Sequence, residues 1–423
     1  MTSPEPCTQN STKALNKDNK MSSPIITPAD RVINIKPSPT LAVNAKAKAL
    51  KAAGVDILNF SVGEPDFDTP PHVCEAGKKA IDEGFTRYTA VPGMPELREA
   101  ICQRLQKDKG LSYTTEEIQV ACGGKHGLYN MFQALLNPGD EVLIPTPYWV
   151  SYPPMVQLAG GIPVLVPLLE QDDFDLNPAI LHKYATSKTR AIIINSPSNP
   201  TGSTFSVEAL QSIAKLALEH GWLIITDDIY DTITYMETAL PHILDIDIRL
   251  KEQTLILNGV SKSFAMTGWR IGWTAGPKHI IAAMNKIQGQ STSNPSSISQ
   301  KAALAAVTGP QDFPKYMQKA FLPRRDFFVT ELRAIEGVSC VNPKGAFYVF
   351  PNFSAYFGKT FNGKAINNSI DMADYFLDEA KVASVPGAAF GADEFIRFSF
   401  ATSMEIIKDG MGRVKKALAH LEG

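Results

Sequence analysis

The chain has no excess of charge, no cysteine pairing pattern and no long apolar run, and each absence removes a class of function. Forty-one basic side chains against 43 acidic ones leave a formal net charge of -2. Nucleic acid is offered no basic footprint and anionic lipid no polybasic patch. The five cysteines, Cys7, Cys74, Cys102, Cys122 and Cys340, are odd in number, scattered and free of any CxxC pair. Neither a disulfide framework nor a metal site is indicated, and a reducing, cytoplasmic compartment is expected. No apolar stretch approaches the roughly 20 residues needed to span a bilayer. Residues 1 to 24 mix Ser, Thr, Pro, Asn and Lys without an apolar segment, and no arginine precedes Arg31. This is not a secretory signal; a disordered tail over 1–29 is expected, with Met21 as an alternative start.

What remains is an ordinary globular composition, 44% hydrophobic over 423 residues, enough for one large and one smaller domain. Pro37 and Pro39 forbid helix locally, and the Ala/Lys/Leu-rich run 40–53 then favours one that Gly54 closes. Short apolar runs at 118–121, 141–144, 163–167, 190–195, 222–226 and 254–257 alternate with helical patterns. The clearest helix is 207–220, with Ser206 as N-cap and Gly221 at its end. Continuous apolar strands separated by helices predict an α/β fold, a mostly parallel sheet covered on both faces. Beyond Gly276 a long helix is predicted over 312–335, containing Pro323. Strands at 338–340, 346–351 and 395–400 and helices near 371–380 and 405–421 then predict a smaller α+β domain, packed against residues 30–55. The expected organisation is an N-terminal arm and small-domain segment at 30–60, a large domain at 61–310, and a connecting helix with a small domain at 311–423.

The chemistry centres on Gly259 to Gly272, GVSKSFAMTGWRIG, in which Lys262 sits in a small-residue turn eight positions before Arg270. A lysine amine forms Schiff bases with aldehydes, and a neighbouring arginine can fork onto a phosphate. Most lysines simply lie on the surface. Four other loops fall at the carboxyl ends of predicted parallel strands, the edge where open α/β sheets place ligands. They hold Gly123-Gly124-Lys125, Trp149, Asn199 and Asp227 with Tyr230. Each has a structural alternative: a tight βα turn, a core aromatic, a proline turn, a helix cap. Together they suit one ligand, an aromatic aldehyde bearing a phosphate.

At this point the sequence resembles the class I aminotransferases of the pyridoxal-phosphate fold-type I superfamily. GVSKSFAMTGWRIG fits that class's lysine-attachment signature throughout. SVGEPDFDTP, YTAVPG, GGK, PYWVSYP, NSPSNPTG, DDIYD and IRFSFATS follow the family's segments in order, over about residues 30 to 423. The resemblance implies a large domain with a seven-stranded-type sheet, and pyridoxal 5'-phosphate held by Lys262 as a Schiff base. Lys262 would also be the general base. Asp227 would face the pyridine nitrogen, Tyr230 and Asn199 the phenolic oxygen, and Trp149 the ring. The phosphate would be bound by Gly124, Lys125, Ser261 and Arg270, with Tyr88 supplied by a second subunit. A homodimer with shared active sites follows.

For the substrate, the resemblance assigns the α-carboxylate to Arg397, with Gly63, Trp149 and Asn199 nearby. Some aspartate aminotransferases grip the second carboxylate with an arginine from the partner, but 288–297 contains none. The branch with GGK is thought to use that lysine, so Lys125 is the candidate, helped by Thr40. A cation at a helix N-terminus opposes the dipole, which also suggests an anionic partner. This branch transaminates aspartate and glutamate with their 2-oxoacids, and residues 83–105 resemble members that also use prephenate, converting it to arogenate. His126 stands where glutamine is usual. The same cofactor chemistry serves carbon-sulfur lyases and aromatic aminotransferases, and a ligand-sensing regulator would need a DNA-binding module for which residues 1–29 are too short.

Overall fold

The computed structural model describes residues 27–33, 35, 37 and 39–423. The expected tail lies outside the described residues as far as residue 26, and Met21 with it. Residues up to Ile35 form a separate unit whose described element is the single-turn helix Asp30–Ile33. The second unit runs from residue 36 to 423.

Its centre is a seven-stranded sheet: β1 (Ile118–Ala121), β2 (Glu141–Thr146), β3 (Ile162–Pro167), β4 (Thr189–Asn195), β5 (Leu223–Asp227), β6 (Thr254–Gly259) and β7 (Gly272–Ala275). Their spatial order is β1-β7-β6-β5-β4-β2-β3. All neighbouring pairs are parallel except those of β7, which runs antiparallel to both β1 and β6. Side chains alternate between two cores. Ile192, Ile194 and Ile224 join Leu143 and Ile256 on one face, while Ala191, Ile193 and Ile225 join Val142 and Leu257 on the other. Burial on both faces is why the inner strands β2, β4, β5 and β6 read as apolar runs rather than as polar-apolar alternation, whereas the edge strand β3 is apolar in sequence although Ile162 and Leu165 are exposed. Strand β7 is not apparent from sequence, because its four residues, GWTA, are too few to show a period and begin on the last residue of the lysine stretch.

The helix Val207–His220 forms as expected: Ser206 Oγ accepts from the Ala209 N–H at 3.1 Å, and Gly221 ends it with φ 69°. The long helix Asp312–Arg333 carries Pro323 within it. It covers an aromatic core in which Phe321, Phe328, Phe353, Phe376 and Phe398 are buried beside Phe60, with Met404–Ala419 along the same core. A three-stranded antiparallel sheet lies there, ordered Val385–Pro386, Ile396–Ser399, Tyr348–Val349. The strand expected at 346–351 is thus shorter, since Ala346 takes a left-handed φ of 56° that stops extension. The strand expected at 338–340 is reduced to a single bridge from Ser339 to Asn352. The N-terminal segment docks on this part of the molecule: Leu58–Asn59 pairs with Val382–Ala383, and Ala47 of helix Pro39–Ala52 packs with Leu377 and Ala383.

Candidate active site

The carboxyl ends of β1, β2, β4, β5 and β6 share one edge of the sheet, and a cavity of about 420 Å³ opens there. Twelve of the thirteen site residues expected from sequence line it: Thr40, Gly63, Gly124, Lys125, Trp149, Asn199, Asp227, Tyr230, Ser261, Lys262, Arg270 and Arg397. Tyr88 does not; it stands 92% exposed on the surface of its own chain.

Lys262 leaves the turn after β6 and donates from Nζ to the Gly63 carbonyl at 2.6 Å. Burial lowers it from the ordinary 10.5 to about 8; Glu64 and Asp227 oppose the shift, while Arg270 and Arg397 add to it. The amine is thereby brought near the range in which it is uncharged and nucleophilic. Asp227 ends β5, where burial raises it to about 6 against the pull of its hydrogen bonds. Tyr152 Oη donates to Asp227 Oδ2 at 2.6 Å, and the Ile229 N–H to Oδ1 at 3.4 Å. Nothing in the sequence assigns Tyr152 a role, although it lies in the PYWVSYP motif three residues beyond Trp149. Its ring meets Trp149 edge to face, with centroids 5.3 Å apart.

Arg397 comes from Ile396–Ser399 and is 3% exposed. Its Nη1 donates to Asn199 Oδ1 at 2.9 Å and its Nη2 to the Ser61 carbonyl at 2.7 Å. Tyr348 and Phe390 lie beneath the guanidinium, 4.5 and 5.1 Å from their ring centres. Because arginine only donates, Asn199 must turn its oxygen toward it, which leaves Nδ2 as the donor on the other side. The Asn199 N–H donates to Asn195 Oδ1 at 2.9 Å, and Asn195 Nδ2 donates to the Asp227 carbonyl at 3.0 Å. One relay thus runs from Arg397 to Asp227 across 170 residues of chain. Tyr230 shares a hydrogen bond of 2.8 Å with Tyr348, and burial holds its hydroxyl well above the ordinary tyrosine range.

The same cavity also holds an anion cradle. The helix Gly124–Leu135 starts there, and its first bonds run from the His126 and Gly127 N–H groups back to the Gly123 carbonyl. Gly124 and Lys125 precede those bonds and line the cavity, at a helix N-terminus whose first N–H groups have no intrahelical partner and whose dipole favours an anion. Two glycines make the approach sterically feasible. A Cβ at Gly123, where φ is +87°, would stand 2.4 Å from Arg270 Nη2, and one at Gly272 would stand 2.3 Å from the Gly124 nitrogen. Arg270 donates from Nη1 to the Thr267 carbonyl at 2.9 Å. Lys125 Nζ lies 4.9 Å above the Trp149 ring, an attraction that offsets part of the dipole's opposition to a cation there. Burial and then Arg270 lower its pKa. His126 is turned away from the cavity: its Nδ1 accepts from the Cys122 N–H at 3.3 Å.

The site also takes in residues whose place in it depends on a neighbour distant in the chain: Tyr152, Asn195, Tyr348, the Ser61 carbonyl and Glu64, whose Oε2 accepts from Thr267 Oγ1 at 2.7 Å. Asn195 opens the quoted NSPSNPTG motif, and Glu64 lies within SVGEPDFDTP, so the motifs themselves were the available signal.

A parallel α/β sheet with a buried amine, carboxylate and guanidinium at its carboxyl edge defines a class, the fold-type I enzymes. The chain belongs to the class I and II aminotransferases, whose family model matches residues 55–414. It is 48% identical over 389 residues to an aspartate aminotransferase of Geobacillus stearothermophilus, covering 92% of this chain and 98% of that one. Against an aspartate/prephenate aminotransferase of Cereibacter sphaeroides the identity is 46% over 395 residues, 93% and 99% of the two chains. The crystal structure of the aspartate aminotransferase from Rhizobium meliloti superposes with a TM-score of 0.90 at 43% identity, covering 94% of this chain and all of that one.

Proposed function

We propose that this aminotransferase is a pyridoxal-phosphate enzyme that moves the amino group between aspartate or glutamate and 2-oxoacids, with prephenate as a further acceptor. The observation that carries this reading is the convergence of Lys262, Asp227 and Arg397 on one cavity that also holds an anion cradle. The residues fit the cofactor. Gly124, Lys125, Ser261 and Arg270 suit its phosphate, Trp149 its ring, Asp227 its pyridine nitrogen, and Tyr230 and Asn199 its phenolic oxygen. Arg397 Nε, buried without a hydrogen-bond partner, suits a substrate carboxylate. When bound, the cofactor supplies an aldehyde carbon and an electron-withdrawing ring that makes the substrate's α-hydrogen acidic.

The chain's own groups would do the rest. Lys262 Nζ would attach to the cofactor, be displaced by the substrate amine, and then take the proton from the substrate's α-carbon and deliver it to the cofactor's former aldehyde carbon, on the other side of the substrate nitrogen. Asp227, oriented by Tyr152 and Ile229, would keep a proton on the pyridine nitrogen through a charge-assisted hydrogen bond. Arg397, with both terminal nitrogens fixed by Asn199 and Ser61, would fix the substrate's α-carboxylate and so the direction of its Cα–H bond. Lys125 and Thr40 would meet the second carboxylate of a dicarboxylic substrate.

The reading includes a homodimer. The loop bearing exposed Tyr88 is held from behind, by Gln288 Nε2 donating to the Val91 carbonyl at 2.6 Å and Gln300 Nε2 to Thr89 Oγ1 at 3.0 Å. A rigidly held, exposed aromatic suits a partner's cavity. The reading also keeps two domains, 61–310 and 311–423 with 30–60, supported by the aromatic core lying apart from the two faces of the sheet. A cytoplasmic location is supported by four unpaired cysteines among the described residues, where no helix is long and apolar enough to cross a membrane.

The test is a pair of half-reactions on the loaded protein. Aspartate alone should remove the absorbance of the cofactor's aldehyde form, and 2-oxoglutarate should restore it. Failure of both would overturn the assignment. An acceptor panel then separates the branch: prephenate and oxaloacetate should be used and phenylpyruvate poorly. Ammonia and pyruvate released from a cysteine conjugate without any oxoacid would point instead to a carbon-sulfur lyase.

A further inference from the structure

Behind the wall of the cavity lies a second cluster of buried charge that the chemistry above does not use. Lys109 is the last residue of the helix Pro95–Lys109, followed by Gly110 in the left-handed region at φ 67°. Its ammonium lies 3.1 Å from Asp228 Oδ2 and 3.2 Å from Asp231 Oδ2. The three side chains are 19, 5 and 14% exposed. Asn258 Nδ2, from β6, donates to Asp231 Oδ2 at 3.0 Å. His242 accepts the Leu244 N–H at Nδ1, so its ring proton is on Nε2, which stands 3.3 Å from Asp228 Oδ2.

The position of this cluster in the chain gives it meaning. Asp227 and Tyr230 line the cavity, whereas Asp228 and Asp231, each one residue further on, bind Lys109. The four belong to one turn after β5, closed by the Asp231 N–H on the Asp228 carbonyl at 3.0 Å and the Ile233 N–H on the Tyr230 carbonyl at 2.8 Å. The Asp228 N–H is tied to the Leu257 carbonyl of β6 at 2.8 Å. A turn of this kind cannot rotate Asp228 and Asp231 without also moving Asp227 and Tyr230, because backbone torsions are shared. The ammonium bridges both carboxylates from another element, at a helix C-terminus where a cation is favoured. Burial alone would lower the Lys109 pKa, and the two aspartates outweigh it and raise it, so the bridge stays charged.

We propose that Lys109 is a positioning residue: through Asp228 and Asp231 it fixes the turn that presents Asp227 and Tyr230 to the cofactor. The inference rests on the functional reading above. Removing the ammonium leaves two adjacent carboxylates buried with half their partners lost, and their repulsion reopens the turn. A misplacement on the order of 1 Å at Asp227 or Tyr230 is enough to slow the chemical step by roughly 100-fold.

The experiment uses the full-length holoprotein and compares wild type with Lys109→Met, Lys109→Arg and Asp231→Asn. Pyridoxal-phosphate affinity is read from the return of cofactor absorbance on titrating the cofactor-stripped protein, and the pH dependence of that absorbance is recorded alongside kcat and KM for aspartate. The expected result for Lys109→Met is a weaker cofactor affinity by about 10-fold or more, a displaced absorbance titration, and a fall in kcat with KM for aspartate little changed, since Arg397 is untouched. Lys109→Arg, which keeps the charge and can fork between two carboxylates, should restore most of each. Should Lys109→Met not fold, Asp231→Asn carries the test, because it leaves the Lys109–Asp228 pair intact and should give a smaller displacement of the same absorbance titration. The proposal is overturned if the folded variant shows wild-type cofactor affinity and an unshifted absorbance titration, whatever its melting temperature. A wild-type protein that takes up no pyridoxal phosphate overturns the functional reading instead.

Discussion

Replacing Lys262 by methionine should abolish transamination and at the same time make the cofactor-free fold more stable near neutrality. Burial brings this amine from the ordinary 10.5 to about 8. Between those values the unfolded chain holds the proton and the folded chain does not, so stability rises with pH across that interval. Below about pH 8 the folded protein carries a buried ammonium whose hydration is not replaced. The interval corresponds to roughly 3 kcal/mol, at about 1.4 kcal/mol per pH unit. Methionine, of similar length, removes this cost but also removes the 2.6 Å bond to the Gly63 carbonyl, a loss of about 1 kcal/mol. The net expectation is a variant more stable by about 2 kcal/mol at pH 7, an advantage that disappears as pH rises from 8 toward 10.5. Urea unfolding of both cofactor-free proteins at pH 7 and pH 10 measures it, and every other titrating group is common to the two. A difference in stability that does not change with pH, or a variant less stable at pH 7, would refute the reasoning.

Tyr152→Phe should leave Asp227 without its 2.6 Å donor, push its pKa further above about 6, and weaken pyridoxal-phosphate binding by about 10-fold in a fluorescence titration. Arg397→Lys keeps a charge but not a fork, so KM for aspartate should rise by roughly 30- to 100-fold while cofactor affinity stays within about twofold of wild type. Lys125→Met should lower kcat/KM for oxaloacetate about 10-fold more than for phenylpyruvate, measured side by side; equal losses would show that Lys125 does not read the second carboxylate. Gly272→Ala places a Cβ 2.3 Å from the Gly124 nitrogen and should cost about 1–3 kcal/mol of stability, seen as a lower urea midpoint, and should reduce the affinity for inorganic phosphate.

The inner parallel strands are legible in the sequence because burial on both faces turns them into apolar runs, and the cap pair Ser206 and Gly221 marks one helix to the residue. Strand β7 was hidden by its length and by glycine at its start. The strand at 338–340 was over-read, because apolar residues around Ser339 pack without pairing beyond a single bridge. Within the site, residues with distinctive chemistry in a Gly- or Pro-rich loop could be named from their motifs. Tyr152, Tyr348 and Lys109 could not. Tyr152 and Tyr348 have the look of core aromatics, and Lys109 has the look of a solvated lysine in the last turn of a helix. Each acquires its role from a partner 75, 118 and 119 residues away in the chain.

Charge states separate the two buried clusters that meet at the turn after β5. In the cavity, burial moves Lys262 down, Asp227 up and Arg397 down, each toward loss of charge. Behind the wall, Lys109 and then His242 hold Asp228 below the usual carboxylate range despite its burial, and the aspartates hold Lys109 up. Asp231, the second carboxylate on one ammonium, is the member raised by burial there. A shift toward neutrality means that the protein has desolvated a group without supplying a full counter-charge; a shift toward charge means that it has supplied one. The first condition describes a site whose charges are completed by a bound molecule, and the second the Lys109–Asp228 pair, which is completed from within and leaves Asp231 as the carboxylate without a full counter-charge. Five residues, Asp227 to Asp231, contribute to both, so the scaffold's internal pairing is what holds the unpaired groups in the cavity where a charged ligand lowers their energy.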